Sequence, residues 1–378
     1  MRFSEKNFVY FLLCCGCVTI HFNIAALAAV IPSMARDFGL PYFQVAQINS
    51  YYLIPYGLGA LFYAPLTRHF SYKSVYVCAM GLYAITSFWC ARAATLEQLT
   101  WGLVVSGIAA ASAIPLGLII IGELFEKSRR GRLVGLFFSG SFLSSVVGIL
   151  VSGIAHWRWL FYCPAILGFL LCVTIFYFRS QHFSHVRSAK VSYLEALRVP
   201  QVRWVLLFIF ILSFLYHGVH KWYGVFLAQE YGLNKLAISL FFLLVALSGA
   251  VGQNIGGWLS DKKGRFVACL IGILLLGIFT ALLVGHYPLY FLAVILSLIA
   301  VGWTIGHNGI STVLTDFPDH HRSEIASLNS AIRFISGGIG FYISSLFVQQ
   351  SFQWTFLGIG FLMLLAIGVL WKVVPASQ

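Results

Sequence analysis

Two stretches of this chain, 266–285 and 288–302, run without a single Asp, Glu, Lys or Arg. A helix facing water on any side carries charge along that side, so runs like these point to helices surrounded by lipid or protein. About 20 such residues cross the hydrocarbon core of a bilayer. The whole chain follows suit: of 378 residues, 60% are hydrophobic and 9% charged. A soluble domain carries roughly a quarter charged residues. The composition therefore excludes a soluble enzyme, a disordered chain and a DNA-binding domain, in spite of the +13 net charge. Twelve spans are predicted, at 8–31, 43–65, 72–92, 97–121, 131–154, 157–179, 203–229, 236–258, 266–285, 288–312, 325–348 and 351–373. The alternation of a membrane β-barrel is absent, and only helices otherwise satisfy their own backbone groups in lipid.

The basic residues orient the chain. With the N-terminus inside, nineteen Lys and Arg fall on the inner side and four outside (Arg36, Arg92, Arg158 and Lys235), with Lys221 left within a span. This asymmetry places both termini in the cytoplasm. The net charge then reflects topology and contact with anionic membrane lipids, not nucleic acid. The eight cysteines lie in apolar stretches without paired metal-ligand spacing, so no metal and no cofactor are expected. The N-terminal apolar stretch is too long for a signal-peptide core and reads as a retained first span.

The chain is doubled. A shift of about 193 residues brings "APLTRHFSYK" (64–73) onto "GWLSDKKGR" (257–265), Glu123 onto Asp316 and Arg129 onto Arg322. The predicted fold is an all-α membrane protein of twelve helices in two pseudo-symmetric bundles. Residues 1–180 form the first six-helix bundle, 181–202 a basic cytoplasmic linker and 203–378 the second bundle. Parallel repeats of this kind imply a cavity between the halves and rocking of one half against the other.

At this point the sequence resembles the major facilitator superfamily along essentially its whole length. "GGWLSDKKGR" (Gly256–Arg265) is similar to that family's G-x-L-x-D-[RK]-x-G-[RK] loop, with Gly257, Leu259, Asp261, Lys262, Gly264 and Arg265 all fitting. "AAVIPSMARDFGL" (28–40), "RRGRLVGL" (129–136) and "HWRWLFYCPAIL" (156–167) resemble segments of its twelve-span drug/proton antiporter branch. The resemblance implies a secondary transporter that moves a small molecule by alternating access. Efflux across a bacterial inner membrane by a monomer is the form it favours, with an uncoupled or import-type carrier as the alternative. Gating roles are implied for the loop residues, for Arg129 at the start of the fifth span, where Asp261 is expected, and for Arg68. Departures accompany the match: Arg68 and Ser71 stand where the first-half loop would carry Asp and Gly. Asn23, Leu103, Ser144 and Ser145 occupy positions where the branch has its acidic residue, its arginine and its G-P pair. Arg68 is expected to pair with Asp316, Asp319 or Glu324.

Polar residues inside spans are costly and mark function. "YHGVHKWYG" (216–224) places His217 and Lys221 one turn apart with His220 beside them. His21, Asn23, His307 and Asn308 add polar groups to the first and tenth spans, and Gln253, Asn254, Asn329 and Arg333 to the eighth and eleventh. Tyr52 and Tyr56 follow helical spacing in the second span. No carboxylate falls at mid-depth, so the expected cargo is an organic anion, such as a siderophore-like carboxylate, or a neutral metabolite. His217, His220 and His21 are the expected proton carriers, since histidine titrates near neutrality. Other classes are a polytopic membrane enzyme, for which "PDHHRSE" (318–324) is the candidate, and a non-transporting receptor or scaffold.

Overall fold

A computed structural model describes residues 5–178, 180, 183, 192–314 and 322–374. It divides into two compact units, Met1–Val191 and Ser192–Gln378. The first holds α1 (Glu5–Ile24), α2 (Ile31–Phe38), α3 (Tyr42–Ala46), α4 (Ile48–Leu66), α5 (Tyr72–Arg92), α6 (Leu96–Ala110), α7 (Ala113–Leu124), α8 (Lys127–Ile154) and α9 (Trp159–Tyr177). The second holds α10 (Tyr193–Arg198), α11 (Pro200–His220), α12 (Tyr223–Tyr231), α13 (Lys235–Lys263), α14 (Arg265–Leu282), α15 (Leu289–Leu314), α16 (Arg322–Val348), α17 (Phe352–Leu365) and α18 (Ile367–Val373). Among the described residues, eleven segments are long and apolar enough to cross a membrane. The second predicted span, α4, is more polar: it carries Asn49, Ser50, four tyrosines, Pro55 and Pro65.

Several expected spans are broken helices. The first ends at Ile24, and the chain restarts as α2 with Pro32 in its opening turn. Proline has no N–H to donate, and its ring collides with the carbonyl four residues back. That carbonyl belongs to Ala28, inside the break. The fourth span breaks at Ala111 and Ser112, and Ala111 stands four residues before Pro115. The seventh breaks at Lys221 and Trp222, where the Trp222 N–H turns back to the Val219 carbonyl at 2.9 Å. The expected linker 181–202 contains a short helix, α10, capped by Ser192, and α11 begins before the expected start at 203; residues 181, 182 and 184–191 lie outside the described residues. Span 8 was expected to end at 258. Its helix instead continues to Lys263, and Gly264 alone separates α13 from α14 at φ 91, ψ 160. Only glycine occupies that region without strain. Gly264→Ala is expected to lower stability by about 1–3 kcal/mol, read as a fall in thermal unfolding midpoint in detergent. The first unit solves the same junction differently: Ser71 keeps ordinary dihedrals and its hydroxyl caps α5 by accepting from Ser74 N.

Helices approach closely where glycine removes a side chain. A Cβ at Gly59 would lie 2.9 Å from the Ile108 carbonyl oxygen, and a Cβ at Gly252 would lie 2.9 Å from that of Val301. The two approaches, within separate units, are 193 positions apart. Gly148 meets the Phe22 carbonyl in the first unit as Gly340 meets the Phe214 carbonyl in the second, 192 positions on. Small residues let membrane helices gain van der Waals contact and interhelical hydrogen bonds. Ser144 supplies one such bond, donating to the Val18 carbonyl at 2.6 Å. The outer surfaces are apolar: α9 alone exposes Ile166, Leu167, Phe169, Leu170 and Phe176. A surface of this kind belongs against acyl chains, not water.

Candidate functional site

The polar groups of the second unit gather where α11, α15 and α16 meet. Helix α16 reaches α11 at close range because Gly337 and Gly340 carry no side chain; a Cβ at Gly337 would sit 2.9 Å from the His217 ring. Ser213 on α11 ties the two helices by donating to the Arg333 carbonyl at 2.7 Å. The Arg333 side chain turns to α15, where its Nη1 lies 2.8 Å from His307 Nε2. One turn before His307 on the same helix, Trp303 stacks flat on Tyr216 of α11, with centroids 4.0 Å apart and planes 3° apart. The other neighbours of Tyr216 include His220, stacked at 5.1 Å. His217 meets Trp303 edge-on at 5.8 Å. An Arg, three histidines and two stacked aromatic rings thus form one continuous cluster.

The hydrogen bonds fix several tautomers. His217 Nδ1 is 2.9 Å from the Ser213 carbonyl, which can only accept, so Nδ1 holds the proton and Nε2 is the ring's acceptor. His21 in the first unit repeats this geometry against the Cys17 carbonyl at 2.9 Å. His220 Nδ1 and the Tyr223 hydroxyl are buried without a hydrogen-bond partner among the described residues. Leaving such a group unmet costs about 1–3 kcal/mol, which makes both natural contacts for a polar ligand or water. Lys221 is 5% exposed. It closes α11 at the break and does not snorkel to a surface.

The remaining expected residues divide clearly. Asn308 lies on α15 next to His307 but donates to the Gln253 carbonyl of α13 at 2.8 Å. That bond knits two helices together at a close approach, where a Cβ at Gly256 would lie 3.2 Å from Asn308 Cβ. In the first unit Asn23 is buried and accepts from the Tyr83 hydroxyl at 3.3 Å. Tyr52 and Tyr56 are buried on α4 with centroids 6.1 Å apart. Asp261 and Lys262 are exposed at the end of α13, with Lys262 Nζ 5.4 Å over the Trp258 ring. Gly257 precedes them in the same helix, and Arg265 opens α14. Arg68 is half-buried in the turn after α4, and Arg129 is exposed in the first turn of α8. Of the acidic partners expected for Arg68, Asp316 and Asp319 lie outside the described residues. Glu324 is placed inside α16, 3% exposed, and accepts from Ser192 N at 3.4 Å. Of the motif "PDHHRSE", residues 318–321 lie outside the described residues, and Arg322–Glu324 open α16.

Sequence reading did not single out Trp303, and it counted Arg333 among the polar residues without giving it a site. The signal was present in the spacing of Trp303 and His307, one helical turn apart on a helix without Asp, Glu, Lys or Arg. A cavity of about 660 Å³ lies elsewhere in the unit, between α11, α16 and α17, lined by Phe214, Ile343, Phe347 and Trp354 among others. No ionisable side chain lines it. Among the described residues, no group of three His, Cys, Asp or Glu is placed to hold a metal ion.

Comparison with known proteins gives this architecture its family. The Major Facilitator Superfamily model matches residues 13–341. The uncharacterized MFS-type transporter YwfA of Bacillus subtilis (strain 168) is 24% identical over 312 residues, 79% of this chain and 75% of that one. The crystal structure of a bacterial homologue of the human lysosomal transporter Spinster superimposes with a TM-score of 0.80 at 14% identity, covering 99% of this chain and 97% of that one. The human organic anion transporter MFSD10 gives a TM-score of 0.73 at 15% identity, covering 97% of this chain and all of that one. This chain is a multi-pass membrane protein of the major facilitator superfamily, a family of transporters and not of enzymes.

Proposed function

We propose that the protein is a secondary transporter whose cargo is a small organic anion, held in the second unit by Arg333, His307, His217 and the buried Lys221. One observation carries this reading: the sign of the charge inside the spans. The described carboxylates stand at or near helix ends, as Asp37, Glu97, Glu123, Glu230, Asp261 and Glu324 do. Arg333 is the twelfth residue of α16, and Lys221 marks the break between α11 and α12. A cation in a poorly solvated interior attracts an anion strongly and repels a cationic drug. The structural likeness to a human protein named as an organic anion transporter is in keeping with this. A siderophore-like carboxylate fits the chemistry, and so does a neutral molecule carrying a strong hydrogen-bond acceptor. Alternating access, export across a bacterial inner membrane, cytoplasmic termini and a monomeric state complete the proposal. Proton coupling belongs to it as well, because histidines occur in spans of both units.

Thermal unfolding of the purified protein tests the reading. Benzoate, succinate and citrate form one panel, and ethidium and tetraphenylphosphonium the other. A carboxylate at one hundred times its dissociation constant stabilises the folded state by about 2.7 kcal/mol. At least one carboxylate is expected to raise the midpoint in the wild type. Arg333→Gln is expected to weaken that ligand roughly 10–100-fold, the loss of one charge-assisted contact worth about 1.5–3 kcal/mol. Stabilisation by the cations alone, or an unchanged response in Arg333→Gln, refutes the assignment.

A further inference from the structure

The contact between Arg333 and His307 contains more than charge. A guanidinium carries N–H groups and offers no acceptor. At 2.8 Å, therefore, Arg333 Nη1 donates and His307 Nε2 accepts. An imidazole that accepts at Nε2 is neutral and keeps its proton on Nδ1. If a proton arrives at Nε2, the lone pair that held Arg333 is gone. Two cations then stand side by side in a poorly solvated place, an arrangement that is costly unless an anion joins them.

We propose that His307 is the proton site that admits the anion. A proton from water forms an N–H bond at Nε2 and breaks the Arg333–His307 hydrogen bond. The freed Nη1–H and the new Nε2–H become two donors for one carboxylate. A monoanion and its proton enter together with no net change in charge. By reciprocity, the anion raises proton affinity by the factor by which the proton raises anion affinity. The proposal rests on the anion reading above and adds the coupling ion and the residue that carries it.

The other titratable groups around this site lack the switch. His217 gives Nδ1–H to the Ser213 carbonyl four residues back. Protonating it at Nε2 leaves that bond in place and opens nothing. The elements packed against α15 contribute His217, His220 and Lys221 from α11 and its break, and Arg333 from α16. From α14 come Arg265 at its start and Cys269, whose Sγ lies 3.8 Å from the Gly306 carbonyl. Helix α13 places Lys235, Asp261, Lys262 and Lys263 at its two ends. Of these groups, His307 has its acceptor nitrogen held by a guanidinium, so protonation there remakes the site.

Calorimetric titration of the full-length protein with benzoate, succinate and citrate decides the matter. Each titration is run in two buffers of different ionisation enthalpy between pH 6.5 and 8.5. The wild type is expected to take up about one proton per anion bound, with affinity falling roughly tenfold per pH unit. His307→Gln offers Arg333 a neutral amide acceptor, and it is expected to bind with no proton uptake and a flat pH profile. Ring ¹⁵N shifts of histidine-labelled wild-type protein give a second reading that needs no variant. One ring must pass from the neutral to the imidazolium pattern when the bound probe is added at pH 7.5. Anion binding without proton uptake in the wild type, or proton uptake that persists in His307→Gln, overturns this proposal and leaves the anion reading standing. Binding of none of the three probes at any pH removes the anion reading, and this proposal with it.

Discussion

A valine at position 340 is expected to abolish the folded second unit. A Cβ there collides with the carbonyl of Phe214, and that obstacle is backbone, which no rotamer change relieves. Relief requires α16 to move off α11. The move would pull apart the Ser213–Arg333 carbonyl bond and the Trp222–Ser344 bond at 2.9 Å. Overpacking a core with movable neighbours costs about 1–3 kcal/mol, so a fixed neighbour sets the loss at the top of that range or beyond it. Gly148→Val is expected to do the same to the first unit, through the Phe22 carbonyl. Gly358→Ala and Gly368→Ala are the controls, because a Cβ at either meets nothing within 4 Å. Gly358 lies inside α17 and Gly368 in the first turn of α18, so each control should be neutral or stabilising by up to about 1 kcal/mol. Monodisperse yield on gel filtration, together with the thermal midpoint, reads all four. Wild-type yields for both valine variants would show that the close approach is not required.

Asp37→Ala is the second large effect. Asp37 Oδ2 accepts from Trp157 Nε1 at 2.7 Å and meets His156 Nε2 at 2.9 Å. Trp157 is 2% exposed, and its indole N–H is directed to the Asp37 carboxylate. Arg158 completes the knot: it lies 4.4 Å over the Trp157 ring and donates to the Ala91 and Ala93 carbonyls at 2.9 and 2.8 Å. Removing the carboxylate strands a buried donor, at about 1–3 kcal/mol. Asp37→Asn keeps an acceptor and should lose less than half as much. The matching position in the second unit, Glu230, accepts from Gln353 at 2.7 Å in a partly exposed setting. Water can replace that bond, and Glu230→Ala should cost under about 1 kcal/mol. Scanning fluorimetry in detergent ranks the three; equal midpoints for Asp37→Ala and Asp37→Asn would dismiss the stranded indole as the cause.

Much of the fold was legible because hydropathy and length decide it. The third span, 72–92, coincides with α5 from Tyr72 to Arg92. Errors arose where local chemistry overrides hydropathy. Pro32 and Pro115 break helices without making their surroundings less apolar. The end of α13 was placed too early because Asp261, Lys262 and Lys263 read as loop, whereas a helix protruding past the apolar region tolerates charge in its last turn. The candidate cluster was half legible. His217 and His307 were found as polar intruders in apolar spans, but their neighbours Arg333 and Trp303 belong to the same cluster only because α11, α15 and α16 pack together. No spacing within one helix records that meeting. Asn308 shows what spacing does not record: as a sequence feature it equals His307, and its side chain donates across the seam to α13.

The break at Lys221 and Trp222 has a mechanical consequence. An unbroken helix transmits bending along its full length, while one whose hydrogen-bond ladder is interrupted can swing its outer portion about the interruption. The cluster hangs on the α11 side of that joint, through Tyr216, His217 and His220, and α12 continues beyond it to Tyr231. A swing of α12 would therefore reach the rings beside Trp303 first, as a door moves its hinge pin before it moves the frame.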